Sequence, residues 1–292
     1  MQQQWIVTDE DAGEKLISFL KKSLQQKCSQ EFSLKRLKSF IDAGYCRLND
    51  RKERFSHTRL CKQDCVQFIL PEIVPEKMKN KLPAILFEDE HMVIYNKTVG
   101  TVCDEKLEKV LKAFLVHRLD KETTGVLVLA KSKEVRDHFF EQFRKRQIEK
   151  EYVALVDGVM KNDHGTIKNY LIPIQKFQGT TIYGVTDNEK KMGALFAHTD
   201  WQCIEKGEQV TFLRLFPHTG RTHQLRVHLC HLGHPIMADV LYGKETVIAS
   251  RQLLHAEKLS FFHFGTKKMM QVIAPLPDDF KQAIQKTVKV SK

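Results

Sequence analysis

The sequence predicts an α+β fold with a mainly antiparallel sheet, preceded by a small α/β module. Strand patterns outnumber helix patterns after residue 84, and the two kinds do not alternate regularly. A stretch rich in proline and lysine, residues 71–83, is predicted to be a linker between residues 1–70 and the β-rich part. The β-rich domain is expected over residues 84–277, and residues 278–292 are expected to be a basic, frayed tail.

The small module opens with two helix patterns. Apolar residues at helical spacing predict one helix around residues 16–24 and a second over 33–44, with Ser33 as its N-cap. Further elements follow in the order of a strand over 46–49, a turn at 50–51 and a strand over 66–70. The sequence therefore predicts helices and short strands folded together within 1–70.

Basic side chains are concentrated in this module. The second helix carries Lys35, Arg36 and Lys38, and the residues after it include Arg47, Arg51, Lys52 and Arg54. A basic face on an isolated helix is usually only a solvated surface. Here the cations lie close together along the chain, and phosphates are favourable partners for such a cluster because binding releases counterions. We expect RNA contacts from Lys35, Arg36, Lys38 and Arg47.

The overall composition agrees with a polyanionic partner but does not demand one. The formal net charge is +11, from 47 Lys and Arg against 36 Asp and Glu. The seven cysteines are scattered, and no second close pair accompanies Cys61 and Cys65 to complete a zinc site. No apolar run reaches the length of about 18–20 residues that spans a bilayer, and no signal peptide is recognised. A cytoplasmic protein with reduced thiols, no membrane contact and a monomeric default state is expected.

The β-rich part is predicted to contain short apolar strands and two helices. An amphipathic helix is marked by Val135, Phe139 and Phe143, and a second helix is predicted over 221–232. The predicted strands cover residues 85–87, 92–95, 126–130, 152–156, 210–216 and 254–259.

The most unusual segment is His117-Arg118-Leu119-Asp120, which a turn-forming stretch joins to the apolar strand ending at Ala130. A charged loop that feeds a buried strand can hold a carboxylate rigidly at a cleft. By spacing alone, an Arg-x-Asp pair is usually a local salt bridge. A protein-kinase loop also combines these residue types, but the order differs and the sequence has no Gly-rich nucleotide loop.

A buried arginine is predicted on the helix over 221–232. Thr222, Leu225, Arg226 and Leu229 share one helix face, so Arg226 lies on an otherwise apolar surface. A buried guanidinium needs a carboxylate, and Asp120 is a candidate. Tyr152 lies on a predicted strand, where a tyrosine is usually part of the core. The histidines of the same region, His223, His228, His231 and His234, lack the spacing of a metal-ligand pair, and no metal site is expected.

Together these segments resemble the RluA-type family of pseudouridine synthases. The resemblance lies in His117-Arg118-Leu119-Asp120 with Thr124-Gly125, in Lys150-x-Tyr152-x-Ala154, and in the runs 220–228 and 233–243. It implies a bent sheet with a central catalytic cleft and an enzyme that isomerises uridine to pseudouridine in RNA without a cofactor. It also implies a catalytic role for Asp120, Tyr152 and Arg226, and RNA contacts by His117, Arg118, Thr124, Arg221 and Gln224.

Residues 1–70 resemble the small αL RNA-binding motif, through residues 13–16, 33–44 and 47–50. Together with the first resemblance, this favours large-subunit ribosomal RNA as the substrate, with transfer RNA next. One departure from the family pattern is Asn96-Lys97-Thr98-Val99-Gly100, where the family usually has Pro in place of Thr98; this concerns a loop at the edge of the cleft.

Several alternatives stay open at this point. Asp120 either attacks the ribose or removes a sugar proton. A catalytically silent RNA-binding or ribosome-assembly protein of the same fold would be expected to lack the carboxylate. A nucleosidase or glycosylase often uses two carboxylates and releases the free base.

Overall fold

The structure is a computed structural model that describes residues 2–27, 32, 34–42, 44–69, 84–177 and 180–288. The predicted linker over 71–83 lies outside these residues. The chain divides into two compact units, the first with Met1–Asn80 and Lys176–Thr180, the second with Lys81–Gln175 and Thr181–Lys292. In the described part of the chain, no helix combines the length and the apolar character that a bilayer span requires.

In its described residues, the first unit is a four-stranded antiparallel sheet with two helices. Its elements are β1 (Gln2–Ile6), α1 (Leu16–Lys27), α2 (Leu34–Asp42), β2 (Cys46–Leu48), β3 (Arg51–Glu53) and β4 (Cys65–Ile69), with sheet order β1-β4-β2-β3. Both helices were predicted, and their apolar faces form one core in which Leu16, Leu20, Leu37, Ile41 and Phe68 are buried. The predicted N-cap Ser33 lies outside the described residues.

The turn between β2 and β3 differs by one residue from the expected one. It lies at Asn49 and Asp50, which both have positive φ (50° and 62°), and Arg51 already belongs to β3. Two consecutive left-handed residues fit the twist of a tight hairpin, and short polar side chains tolerate that conformation best. The sequence prediction missed β1 and β3 because both are short, polar edge strands without an apolar alternation.

The described part of the second unit is built on an eleven-stranded sheet. Its strands are β5 (Ile85–Glu88), β6 (Met92–Lys97), β7 (Phe114–Leu115), β8 (Thr124–Ala130), β9 (Glu149–Asp157), β10 (His164–Phe177), β11 (Thr180–Thr186), β12 (Leu195–Lys206), β13 (Val210–Pro217), β14 (Leu254–Phe262) and β15 (Met269–Ile273). Its helices are α3 (Glu105–Leu111), α4 (Lys133–Arg144), α5 (Gln224–His231) and α6 (Asp278–Thr287).

The strand order is β11-β10-β12-β13-β9-β14-β8-β6-β5, with β15 beside β14 and β7 beside β8. Antiparallel pairs dominate, and the short β14–β8 contact is parallel. The predicted α+β fold with a mostly antiparallel sheet is confirmed. The sheet's middle strands are the apolar runs that the sequence identified: β8 is buried at every residue, and Val153 to Val156 of β9 are buried.

The expected basic tail is wrong for residues 278–288. Helix α6 occupies Asp278–Thr287, and its Phe280 and Ala283 are buried in one apolar cluster with Val153 and Leu155 of β9. The prediction of a frayed end relied on the lysines of this segment and overlooked the apolar helix face between them. The remaining residues, 289–292, lie outside the described part of the chain.

Candidate active site

A cleft in the second unit brings together the segments that the sequence singled out. The loop before β8 contributes Arg118 and Asp120, and β9 contributes Lys150 and Tyr152. The segment around α5 contributes Arg226, with Pro217, Thr219, Gly220, Arg221 and His223–Leu225. These residues are far apart along the chain. They meet because β8 and β9 both neighbour β14, and β13 runs alongside β9 into the loop before α5.

Asp120 is held by Arg226 at the bottom of this cleft. Nη1 of Arg226 donates to Oδ2 of Asp120 at 3.1 Å. The other two guanidinium nitrogens, Nε and Nη2, donate to the two carboxylate oxygens of Asp239 at 2.7 and 2.8 Å. The arginine therefore has two carboxylate partners, one buried behind it and one facing the cleft, where the Asp120 side chain is 30% exposed.

The second carboxylate was not recognised from the sequence as a partner of Arg226. Burial alone would lower the pKa of this guanidinium, but the hydrogen bonds and charges of Asp239 and Asp120 outweigh it and raise the pKa. Asp239 is itself fixed, because its Oδ1 also accepts from the backbone N–H groups of Leu241 and Tyr242. Because Nε and Nη2 both bind Asp239, the planar guanidinium is fixed, and its Nη1 points towards Asp120.

Tyr152 lines the same cleft from β9. Its strand neighbours are Leu215 on β13 and Ala256 on β14, so the backbone is paired on both sides. Burial and then the nearby charge of Asp120 raise the pKa of the Tyr152 phenol, which keeps it neutral. A neutral aromatic ring held rigidly beside a carboxylate offers a surface on which a flat heterocycle can stack.

His223 and Tyr242 form a further contact to Asp120 that the sequence did not predict. Nε2 of His223 lies 3.9 Å from Oδ2 of Asp120, and Nδ1 lies 2.8 Å from the Tyr242 hydroxyl. The same hydroxyl also accepts from the N–H of Tyr183, so it joins His223 to β11. Burial lowers the pKa of His223, which favours its neutral form, and Nε2 is the ring nitrogen nearer to Asp120.

Backbone carbonyls of the loop that carries Asp120 are held by buried cations. Nζ of Lys97, at the end of β6, donates to the carbonyls of Lys121 (3.0 Å) and Thr123 (2.7 Å). Nη1 of Arg251 donates to the carbonyl of Glu122, and its guanidinium forms an ion pair with Asp279 of α6. The loop is thus fixed by side chains from two distant parts of the chain, and the departure at 96–100 lies in a segment that helps to position Asp120.

The close approach of β8 and β14 requires a glycine directly after Thr124. Gly125 has φ +117°, and a Cβ atom there would lie 2.1 Å from the carbonyl oxygen of Ala256. No L side chain adopts this backbone without strain, and none has room. Gly125 therefore sets how closely the catalytic loop approaches β14.

Lys150 is a further cleft residue whose charge is tuned by burial. Its Nζ donates to the carbonyl of Thr219 at 3.0 Å, joining β9 to the opposite wall of the cleft. Burial lowers the pKa of this lysine to about 8. The sequence prediction included Lys150 only as part of the family pattern and gave it no role.

Three residues expected to bind RNA have their side chains in the interior instead. Nε2 of His117 accepts from the N–H of Val128, and burial lowers the pKa of His117 to about 3. Thr124 is buried against Nδ1 of His255, and Gln224 is buried among Thr219, His198 and Thr199. These side chains support the walls of the cleft, because each satisfies polar groups that would otherwise be buried without a partner.

The remaining predicted contacts are accessible or lie elsewhere. Arg118 and Arg221 are exposed, and Nε of Arg221 donates to the carbonyl of Phe196. In the first unit, Lys38 is exposed and Arg47 donates to the carbonyl of Asp50. The side chains of Lys35 and Arg36 lie outside the described residues. Thr222 precedes α5, which begins at Gln224, so it does not share the helix face of Arg226.

A carboxylate in an ion pair beside a half-buried phenol, within a cleft of a mostly antiparallel sheet, is the arrangement expected for pseudouridine synthases. Comparison with known proteins agrees with this class. The model of the family "RNA pseudouridylate synthase" matches residues 80–231, just over half of the chain. The chain belongs to this family.

Curated relatives are similar over nearly the whole chain. "Ribosomal large subunit pseudouridine synthase C" of Vibrio vulnificus is 30% identical, with 97% of this chain and 96% of the relative covered. "Ribosomal large subunit pseudouridine synthase D" of Haemophilus influenzae is 32% identical, with 87% and 86% covered. Among solved structures, "Human RNA Pseudouridylate Synthase Domain Containing 4" has a TM-score of 0.58 and 26% identity, covering 69% of this chain and 92% of that one.

Proposed function

We propose that this protein isomerises specific uridines of large-subunit ribosomal RNA to pseudouridine and that Asp120 starts the reaction. The observation that carries the proposal is the ion pair of 3.1 Å between Asp120 and Arg226 at the bottom of a cleft that Tyr152 also lines. An ion pair fixes the direction of a carboxylate, and an oriented carboxylate facing a cleft can act as a nucleophile or a base.

The reaction needs no net oxidant, reductant or energy source. The bond between N1 of uracil and C1′ of ribose breaks, a bond between C5 and C1′ forms, and the hydrogen on C5 is replaced by one on N1. Asp120 begins this sequence by attacking the ribose or by removing a ribose proton. Arg226 orients the carboxylate, because its other two nitrogens are fixed by Asp239.

The detached uracil must turn in place before it is rejoined. A cleft floor made of a neutral tyrosine ring permits this, since stacking holds a base without fixing its rotation. The target nucleotide must also leave its RNA stack, at a cost of a few kcal/mol. The exposed Arg118, two residues before Asp120, is placed to bind the flanking phosphate or to fill the vacated position in the stack.

The first unit serves as an αL-type RNA-binding domain in this proposal. Its support is the succession of α2 and the β2–β3 hairpin with their basic side chains, of which Lys38 and Arg51 are exposed. Ribosomal RNA is favoured over transfer RNA because the relatives that match most of this chain are named for the large ribosomal subunit. Cytoplasmic localisation, a monomeric state and catalysis without a cofactor complete the proposal.

The experiment is a map of pseudouridines in RNA from cells that lack this protein. Separated large-subunit ribosomal RNA and transfer RNA are each incubated with wild-type protein or with Asp120→Asn, and new pseudouridines are located by carbodiimide-dependent stops of reverse transcription. We expect new stops at discrete positions of the ribosomal RNA with wild-type protein and none with Asp120→Asn.

Two other results would contradict the proposal. Stops confined to transfer RNA would refute the substrate while keeping the reaction. Absence of stops in either RNA, or release of free uracil, would instead favour the silent RNA-binding protein or the glycosylase that the sequence left open.

A further inference from the structure

Three side chains of the second unit converge outside the cleft residues used above. They are His198 and Asp200 on β12 and His218 directly after β13. Nε2 of His218 lies 2.6 Å from Oδ2 of Asp200, and Nε2 of His198 lies 3.2 Å from Oδ1 of the same carboxylate. The two imidazole rings stack with centroids 4.1 Å apart and planes inclined by 21°.

The sheet creates this convergence. His198 and Asp200 are two residues apart on one strand, so their side chains share a face. Thr199 pairs with Pro217 across β12 and β13, and the N–H of His218 donates to the carbonyl of His198, which makes the two histidines direct cross-strand neighbours. The spacing is not recognisable from the sequence, because the ligand set is split between two strands rather than placed on one helix turn.

The ligand atoms are close enough to meet at one ion. Each residue offers one atom, and these atoms all lie within 4.8 Å of one another. Tetrahedral zinc with ligands at about 2.0–2.1 Å needs separations of roughly 3.4 Å. The two imidazole–carboxylate separations are 2.6 and 3.2 Å, so a small shift of the exposed His218 side chain would adjust the set to an ion. Within the described ranges, no other group of three histidine, cysteine or acidic residues meets this criterion.

We propose that His198, Asp200 and His218 form a binding site for a divalent transition-metal ion of the zinc class. Two imidazoles and one carboxylate suit zinc, cobalt or nickel better than magnesium or calcium, which prefer oxygen ligands. Three protein ligands leave a coordination position open to water. Without metal, the carboxylate accepts hydrogen bonds from the imidazoles, and the metal replaces those protons.

The carboxylate also has an outer partner that orients it. The hydroxyl of Thr166 on β10 donates to Oδ1 of Asp200 at 2.7 Å, so a third strand supports the ligand set. Such outer hydrogen bonds fix the direction of metal ligands and are a usual part of metal sites.

The proposed ion would stiffen one wall of the catalytic cleft. His218 directly precedes Thr219 and Gly220, which line that cleft. The Thr219 hydroxyl accepts from the N–H of His198 and donates to Gln224, and the Thr219 carbonyl accepts from Lys150. An ion that ties His218 to β12 would therefore hold the segment 217–220 in its present position without taking part in the reaction.

The experiment uses the full chain, freed of metal by chelation and titrated with Co²⁺ and with Zn²⁺ near neutral pH. We expect one tight Co²⁺ site with a visible spectrum of nitrogen and oxygen ligands and no thiolate charge-transfer band, which separates this site from the cysteines. His218→Ala and Asp200→Asn should each weaken Zn²⁺ binding by at least about tenfold, since even outer-sphere changes cost 10–100-fold.

The matched control is His231→Ala, which removes a surface histidine outside the cluster. It should bind Zn²⁺ as wild-type protein does. Hydrogen exchange of the Thr219 and Gly220 amides should slow with Zn²⁺ in wild-type protein and stay unchanged in His218→Ala. Absence of saturable binding, equal binding by His218→Ala, or a thiolate band in the Co²⁺ spectrum would each overturn the proposal.

Discussion

The charged side chains that hold Asp120 and its loop are buried and paired, whereas the described basic side chains of the first unit lie at or near its surface. Arg226 is 6% exposed, Asp239 1% and Lys97 0%, and each is bound by named partners. Lys38 and Arg51 are exposed, and Arg47 is half-buried. In the first region, removal of one member leaves a buried charge or carbonyl without its partner. In the second, each cation adds a small, screened share to a summed attraction.

Among the buried charged residues around Asp120, substitution of Arg226 is expected to have the largest effect on stability and activity. Arg226→Met leaves Asp239 as a buried carboxylate without its ion pair, so the free energy of unfolding should fall by about 3–5 kcal/mol. Pseudouridine formation should be lost, because Asp120 loses its cation. Urea unfolding and a turnover assay measure the two effects.

A second variant separates the loss of stability from the loss of activity. Arg226→Met/Asp239→Asn removes the uncompensated charge and should regain part of the stability while staying inactive. Normal turnover by either variant would show that the ion pair is not needed for the reaction.

Burial of Lys97 can be tested through the pH dependence of the free energy of unfolding. Burial lowers the pKa of Lys97 from 10.5 to about 8, so the unfolded chain binds more protons than the folded one between these values. The contribution of Lys97 to the free energy of unfolding therefore rises with pH across this window, by up to about 3 kcal/mol, and is absent in Lys97→Met. The measurement is the difference between wild-type and variant unfolding at pH 8 and pH 10.

Lys109→Met, a change of an exposed lysine on α3, serves as the control and should show a difference that is flat with pH. A flat difference for Lys97→Met as well would mean that the Lys97 ammonium is not destabilised by burial.

The smallest effect is expected at the first unit. Lys38→Ala/Arg47→Ala should weaken RNA binding several-fold and reduce the salt dependence of binding by up to about two ion equivalents, with the single-turnover rate at saturating RNA unchanged. Lys281→Ala/Lys286→Ala on α6 removes the same charge elsewhere. If both pairs weaken binding equally, the first unit has no special role in RNA binding.

The sequence was sufficient for the parts of this molecule in which one local pattern determines the structure. Each predicted strand of the second unit is present, because the runs around Val126 and Val153 are apolar enough to be core strands in any arrangement. The pairing of Arg226 with Asp120 was predicted because an arginine on an apolar helix face requires a carboxylate. Helix α6 was missed because its few apolar residues stand among lysines in the sequence, and their role is clear only from their packing against the core.

The remaining features depend on contacts between segments that are far apart along the chain, and local sequence patterns do not predict such contacts. Asp239 as the second partner of Arg226, Lys97 on the loop carbonyls, and the cross-strand meeting of His198 with His218 arise from the sheet order. For the same reason, His117, Thr124 and Gln224 were assigned to RNA although they face the interior. Family patterns contain residues that build a site as well as residues that touch its substrate.

The central claim is that Asp120 is required for pseudouridine formation but not for RNA binding. The measurement is Asp120→Asn, an uncharged replacement of nearly the same size, assayed for single-turnover pseudouridine formation and for RNA affinity on the same ribosomal RNA. Asp137→Asn, which changes an exposed carboxylate of α4, is the control. We predict no detectable product with Asp120→Asn and an affinity within about twofold of wild type, because Asp120 is one half-buried charge among many groups that contact the RNA. A single-turnover rate close to that of Asp137→Asn would contradict the account.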